Sequence, residues 1–197
     1  MARTVKDPEE RRRELLACAM RLFAEKGYDN VSVRAVAREA GVASGLAYHY
    51  FDSKQALFDA AIEEYARQCA ERFCSIFSDR SLSLDEQLDL AFDLGTKREA
   101  FPYADFFHAS EHGALHERLS LGICEAVRPS LTAALERDAA TRGMSAPDAE
   151  MLAGMLVYGS IGLASDGHEL GEQTRRAARR YVAVLIKEFR HIDERKG

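Results

Sequence analysis

Apolar side chains recur every three or four residues along nearly the whole chain, and no stretch alternates apolar and polar positions for long. A repeat of this length places apolar residues on one face of an α-helix, whereas a half-buried strand needs a repeat of two. The longest series comprises Phe58, Ile62, Tyr65, Cys69, Phe73 and Ile76. The pattern predicts an all-α protein.

Signals for helix ends divide the first quarter of the chain into short helices. Asp7 suits a helix start, and Gly27 suits a helix end because glycine adopts the left-handed conformation found there. Ser32 is the predicted N-cap of a short second helix. A third short helix is predicted from about Ser44 to Tyr50, before a long fourth helix.

Further helices are predicted in the rest of the chain. Ser83 and Glu86 have the spacing of a capping box. A long helix is predicted from about Leu119 to Arg142, and a last one from about Glu169 to His191. Between them, the stretch Met151–Ser165 carries no charge but is shorter than the about 20 residues that a membrane span needs. It therefore predicts a buried or interface helix.

Charge is distributed unevenly along the 197 residues. The whole chain carries a net charge of −5, but residues 1–54 carry +2 and residues 55–197 carry −7. Only the first part therefore attracts phosphate, and only mildly. The first residues contain no apolar run, so no secretory signal is expected. The cysteines form no CxxC pair, and free thiols in the cytoplasm are therefore expected. The cysteines are Cys18, Cys69, Cys74 and Cys124.

Residues 32–51 have the form of a helix-turn-helix: a short helix, a glycine turn and a second short helix. Taken singly, Phe51 would be a core residue and His49 an ordinary surface histidine, but the ordered set is more specific. The region from about Glu9 to Leu57 resembles the DNA-binding head of the tetracycline-repressor family. The matching positions are Leu22-Phe23, Gly27-Tyr28, Val33-Arg34, Ala40-Gly41-Val42, Gly45, Tyr48-His49-Tyr50-Phe51, Ser53-Lys54 and Leu57.

The resemblance implies a fold, a function and a division of the chain. Residues 9–55 would form a three-helix DNA-binding head, and residues 56–197 a helical bundle that binds a ligand and forms a homodimer. The protein would be a ligand-responsive regulator of transcription, and repression is usual in the family. The implied DNA-binding residues are Ser32, Val33, Arg34, Ser44, Gly45, Leu46, Tyr48, His49 and Lys54.

Roles within that set also follow from the resemblance. The helix from Ser44 would enter the major groove, with Tyr48 and His49 on phosphates, and Lys54 would supply a second phosphate contact. Arg34 would read guanine or clamp the backbone. The chain departs from the family at Ala43, where a capping serine or threonine is usual, so we expect the helix to be capped one residue later by Ser44. It also departs at Ala47, where the family usually carries a larger apolar residue.

Aromatic and small polar side chains in the second part of the chain suggest where an effector binds. An apolar or amphipathic molecule is expected, with simple core packing as the alternative for each residue. The candidate lining residues are Tyr65, Cys69, Phe92, Phe106, Phe107 and Tyr158. No GxxxxGK, GxGxxG or GxSxG motif occurs, so neither a cofactor nor an enzymatic activity is expected.

The last two predicted helices carry small and apolar residues suited to a dimer interface. A two-fold dimer would set two heads on two half-sites of an operator. The candidate interface residues are Gly154, Gly159, Ala178, Tyr181, Val182, Leu185 and Phe189.

His108, Glu111 and His112 provide an alternative function because they fit the H-x-x-E-H pattern of some zinc peptidases. Histidines four residues apart share a helix face and could bind a metal. A metal-sensing regulator and a zinc-dependent hydrolase are therefore alternatives. Since no third ligand or cleft is evident, polar histidines on a solvated turn are the simpler interpretation.

Overall fold

The computed structural model describes residues 7–107, 113–164 and 171–191, and the regular structure within these ranges is entirely helical. The side chains of Arg98, Ala114, Ile161 and Ala164 are not described. A single 3₁₀ turn, Arg98–Ala100, precedes the sixth helix. The helices are α1 (Pro8–Lys26), α2 (Val33–Glu39), α3 (Ser44–Tyr50), α4 (Lys54–Ser78), α5 (Leu84–Thr96), α6 (Ala104–Phe107), α7 (Gly113–Thr141), α8 (Ala149–Ala164) and α9 (Glu172–His191).

The helix ends follow the capping residues in the sequence. Asp7 caps α1 by accepting a hydrogen bond from the amide of Glu9 (3.4 Å), and Gly27 ends that helix at φ +75°. Ser32 caps α2 through the amide of Ala35. The predicted capping box at the start of α5 is also confirmed. The long helix α7 begins at Gly113, about one and a half turns before the predicted start.

One buried cluster joins the first three helices to the helices that follow. It includes Leu16, Phe23, Val36, Ala47, Leu57, Tyr65, Phe107 and Leu119. Because α4 supplies part of this core, the two predicted domains share the packing around its first turns. Within the described ranges, no helix has the length and apolarity needed to span a membrane.

A second buried cluster lies in the half of the bundle remote from α1. It includes Phe77, Leu84, Leu131, Leu135, Leu152 and Ile186. In α9, Ile186 is the buried apolar residue, and arginines add contacts to α5: Arg179 pairs with Asp89 (2.7 Å) and Arg190 with Asp85 (2.9 Å). The last helix is thus attached to its own bundle through the buried Ile186, the half-buried Val182 and Phe189, and several ion pairs.

Candidate DNA-binding site

The second and third helices form the predicted helix-turn-helix, with residues 40–43 as the turn. Gly41 has φ +66°, a left-handed conformation that glycine adopts without the strain a Cβ atom would cause. The amide of Val42 donates to the carbonyl of Ala37 (2.9 Å) and closes the turn. The turn therefore fixes the direction in which α3 leaves α2.

The prediction that Ser44 caps α3 is wrong. Ala43 occupies the N-cap, with extended backbone angles and a carbonyl that accepts from the amide of Leu46 (3.0 Å), and no side chain caps the helix. Ser44 already belongs to the first helical turn. The turn geometry decides the helix start here, although alanine at an N-cap typically costs about 1 kcal/mol relative to serine.

One side of α3 is buried and the other is open to solvent. Ala47 and Phe51 are almost fully buried against α1, α2 and α4. The small side chain of Ala47 lets α3 pack close to the other helices of the head. The exposed side carries the residues that the sequence placed on DNA, namely Ser44, Gly45, Leu46, Tyr48 and His49.

The start of α2 contributes one exposed cation. Arg34 is exposed, and Ser32 is exposed with its hydroxyl accepting the capping hydrogen bond. Val33 is 2% exposed and packs in the core. The prediction of a DNA contact is therefore wrong for the Val33 side chain, because the buried face of α2 begins there.

Lys54 occupies the first turn of α4, where backbone amides and the helix dipole favour an anion. Ser53 caps this helix through the amide of Ala56 (3.0 Å). The Lys54 ammonium donates to the carbonyl of Asp29 (3.1 Å) and lies 4.2 Å from the ring centre of Tyr28. Its charge is thus held at the helix start, between the α1–α2 turn and α4.

The N-terminal part of the chain matches a known family. Residues 15–61 match the model of the tetR family of bacterial regulatory proteins. Over these residues the head of this chain resembles tetR-family domains. The matched residues include both helices of the helix-turn-helix and the first turns of α4.

Curated relatives are similar to a short stretch of the chain. The transcriptional repressor KstR2 of Rhodococcus jostii is 46% identical over 55 residues, which are 28% of this chain and 27% of that protein. The transcriptional repressor AcnR of Corynebacterium diphtheriae is 41% identical over 61 residues, 31% of this chain and 32% of that protein. The chain thus spans about a third or less of the length of these two relatives.

Solved structures resemble the fold over almost the whole chain. Salmonella enterica GusR superposes with a TM-score of 0.61 at 22% identity, covering 94% of this chain and 100% of GusR. A regulator of the TetR/AcrR family from Thermobifida fusca superposes with a TM-score of 0.55 at 19% identity, covering 90% of this chain and 96% of that regulator. The helical body behind the head therefore shares its fold with these proteins.

Four of the six candidate effector residues lie together between α4 and α6. The ring of Tyr65 stacks on Phe107 (4.4 Å between centroids), and Phe107 meets Phe106 edge to face (5.0 Å). Cys69 belongs to the same buried cluster, and burial raises the pKa of its thiol to about 11. These residues form a tightly packed apolar core in the structure described.

The other two candidate effector residues lie elsewhere. Phe92 is on α5 with the Arg179 guanidinium 4.7 Å from its ring centre, and Tyr158 is exposed on α8. The expected grouping of all six residues is therefore not observed. Periodicity along single helices could not show which helices would meet.

The candidate dimer residues divide into two groups. Val182 and Phe189 pack against the second core cluster, on the same side of α9 as Ile186. Tyr181 and Leu185 are exposed, Gly159 is open to solvent, and Ala178 and Gly154 are half-buried. Val182 and Phe189 are thus half-buried within their own bundle, because the apolar residues of α9 cover two sides of the helix, and their part in a dimer stays a prediction.

The exposed side of the last two helices includes apolar residues that the sequence analysis did not select. Those with the largest exposed surfaces are Met151, Met155, Leu163 and Val184. Regular helical spacing from Tyr181 could have identified Val184, since residues three apart share a face.

The candidate metal ligands His108, Glu111 and His112 lie outside the described residues. His116, which follows them, is half-buried on α7. No group of three or more potential ligands is positioned for a metal within residues 7–107, 113–164 and 171–191.

Tyr28 and Asp29 are site residues that sequence reasoning missed. In the sequence, Tyr28 is only one of the positions that match the family. In the structure, its ring and the carbonyl of Asp29 both contact the Lys54 ammonium. A contact between residues more than twenty positions apart leaves no periodic signal in a single sequence.

Proposed function

We propose that this chain is a DNA-binding regulator of transcription, acting as a repressor that an effector molecule controls. The observation that carries the proposal is the exposed side of α3 within a tetR-family head, next to the Lys54 charge at the start of α4. The repressor names of the curated relatives support the same function.

The exposed side of α3 is suited to the major groove of DNA. Its small residues Ser44 and Gly45 let the helix approach base edges closely, and Leu46 provides an apolar contact of the kind that thymine methyl groups receive. Tyr48 and His49 then lie where phosphates flank the groove. Since few base contacts are available from this helix, DNA shape contributes to specificity.

Two copies of the head are proposed to act together in a homodimer. A single helix-turn-helix covers too little DNA for tight specific binding, and a two-fold dimer sets recognition helices about 34–36 Å apart. The exposed apolar side of α8 and α9 is the proposed interface, with Met151 and Met155 on α8 and Tyr181 and Leu185 on α9. The open surface at Gly159 lets a second backbone approach.

The effector is proposed to be an apolar or amphipathic organic molecule that inserts beside Phe106 and Phe107. The rings of Phe106 and Phe107 are apolar, and the Tyr65 hydroxyl and the Cys69 thiol are the two polar groups beside them. Native mass spectrometry of the protein as purified would detect such a molecule. Release of DNA by stoichiometric zinc or copper, abolished by His108→Ala with His112→Ala, would contradict the proposal.

The test of DNA binding begins with selection of duplexes from a random 40-base-pair pool. We expect the enriched duplex to bind the wild-type protein with an affinity that falls steeply with salt. Lys54→Ala and His49→Ala should each reduce the slope of log affinity against log salt by about 0.9 per lost phosphate contact. Arg34→Ala should reduce the affinity for some duplex sequences more than for others if Arg34 reads a base edge.

Lys97→Ala is the matched control, because Lys97 is an exposed lysine at the far end of α5. It should leave both affinity and salt dependence unchanged. Equal affinity of the wild type and the Lys54→Ala/His49→Ala variant for the enriched duplex would rule out the proposed DNA interface.

A further inference from the structure

A continuous series of hydrogen bonds joins the body of the protein to its head. The Arg118 guanidinium on α7 donates to the Asp59 carboxylate on α4 (2.5 Å). The same carboxylate oxygen accepts from the Gln55 amide nitrogen (3.2 Å), and the Gln55 amide oxygen accepts from the Tyr28 hydroxyl (2.8 Å). Three elements are thereby connected: α7, the first turns of α4, and the turn between α1 and α2.

The chemistry of these groups sets the direction of each hydrogen bond. An ionised carboxylate only accepts, so Asp59 requires the nitrogen of the Gln55 amide to face it. The amide oxygen of Gln55 must then face Tyr28, and the Tyr28 hydroxyl donates. Because each partner fixes the orientation of the next, losing Arg118 removes one of the two hydrogen bonds to the Asp59 oxygen and loosens the constraint on Gln55.

Tyr28 connects this series to the proposed phosphate contact. Its ring lies beneath the Lys54 ammonium, 4.2 Å away, and packs edge to face on Phe58 (4.7 Å). Phe58 also contacts Phe23 (4.9 Å) in the same way. The ring is thus fixed by aromatic packing, while its hydroxyl is fixed by Gln55.

We propose that Arg118, Asp59, Gln55 and Tyr28 form an interdomain latch through which the body sets the position of Lys54 in the head. These four are positioning residues, and the proposal rests on the function proposed above. Arg118 lies in the second turn of α7, so a shift of α7 relative to α4 changes the Arg118–Asp59 distance directly. An effector that moved α7 would thereby weaken the phosphate contact at Lys54.

The exposure of the Arg118–Asp59 pair distinguishes a positioning role from a stabilising one. The side chains are 52% and 32% exposed, and ion pairs in such surroundings contribute little to stability. Removal of Arg118 should therefore change DNA binding and the dynamics of the head far more than the melting temperature. A residue that merely stabilised the fold would change the melting temperature first.

The test is a double-mutant cycle with Tyr28→Phe and Arg118→Gln. Tyr28→Phe removes only the hydroxyl and leaves the ring under Lys54. On the duplex selected above, we expect each single variant to weaken binding about 3- to 10-fold, and the double variant to bind no more weakly than the weaker single variant. Effects that multiply independently would refute the latch, as would unchanged affinity in both single variants.

Arg67→Gln is the matched control. Arg67 is a similarly exposed arginine on α4, and its partners Glu64 and Glu71 lie on the same helix. It should leave DNA affinity unchanged. If Arg67→Gln lowered DNA affinity as much as Arg118→Gln does, any ion pair on α4 would have the same effect, and the latch would be rejected.

Hydrogen exchange tests the latch independently of DNA. The Val31 amide donates to the Tyr28 carbonyl (3.3 Å) and reports on the turn that carries Tyr28. In Arg118→Gln, this amide should exchange several-fold faster although the substitution lies on another element. Unchanged exchange at Val31 would refute the latch even if the wild type bound DNA, and faster exchange would support it even if no duplex were enriched.

Discussion

Leu185→Glu should convert the protein into a folded monomer. The Leu185 side chain is 37% exposed in the single chain, whereas its neighbour Ile186 is 2% exposed. A glutamate at position 185 can point into solvent in the monomer, so the protomer loses little. Neither Tyr181 nor Glu188, one turn away on either side, offers a positive charge to the new carboxylate.

The substitution would destabilise the dimer much more than the folded monomer. Complete burial of a leucine side chain contributes about 1.5–3 kcal/mol, so covering the remaining exposed third contributes about 0.5–1 kcal/mol per subunit. A buried carboxylate without a partner costs several kcal/mol, and the two-fold axis doubles that cost. A total above about 5 kcal/mol weakens dimerisation on the order of 10³-fold or more.

Sedimentation equilibrium, far-ultraviolet circular dichroism and binding to the selected duplex measure the three consequences. We expect a monomer with wild-type helicity and greatly reduced DNA affinity. Ile186→Ala is the matched neighbour: it should lower the free energy of unfolding by about 2–5 kcal/mol, because it creates a cavity in the second core cluster. A Leu185→Glu protein that stays dimeric, or that loses helicity, would refute the proposed interface.

Two further substitutions address the body. Phe107→Ala should destabilise the protein by about 3–5 kcal/mol in chemical denaturation, because Phe107 is fully buried against Tyr65, whereas Phe92→Ala should cost much less; equal costs would contradict the packing described here. Cys69→Ala should remove a pH dependence of the free energy of unfolding. Burial raises the pKa of the Cys69 thiol from 9.0 to about 11, so the stability that this shift contributes is complete below pH 9 and is lost as pH rises through 11. In the folded protein at pH 8, Cys69 should carry about 100-fold less thiolate than when unfolded and react correspondingly slowly with a disulfide reagent; equal rates in folded and urea-unfolded protein would contradict this.

Local features of the fold were predictable from the sequence because their causes lie within a few residues. Asp7, Ser32 and Ser83 cap the helices that the sequence assigned to them, since each accepts a hydrogen bond from an amide two or three residues later. The start of α3 was not predictable in this way. Ala43 takes the N-cap because the turn after Gly41 dictates it, against the side-chain preference that favoured Ser44.

Features that depend on neighbouring helices were predicted less well. In the seven residues of α2 the sequence could not show that Val33 turns inward beside the exposed Arg34. In α9, apolar residues occupy two sides, and only packing against the second core cluster separates Val182 from Tyr181. The resemblance assigned Lys54 to a phosphate contact, which stays a prediction, and the contact between Lys54 and Tyr28 became visible only in the fold.

The core shared between the head and α4 restricts how such a protein can be recombined. Leu57 and Ile62 are buried together with Phe23 and Val36 of the first two helices. A fragment that ended at residue 55 would lose these buried side chains of α4 and expose apolar surface that α1, α2 and α3 cannot bury among themselves. A hybrid that joins this head to another bundle must therefore take the first turns of α4 from the same parent, and the crossover point belongs beyond Ile62 rather than at the end of the recognition motif.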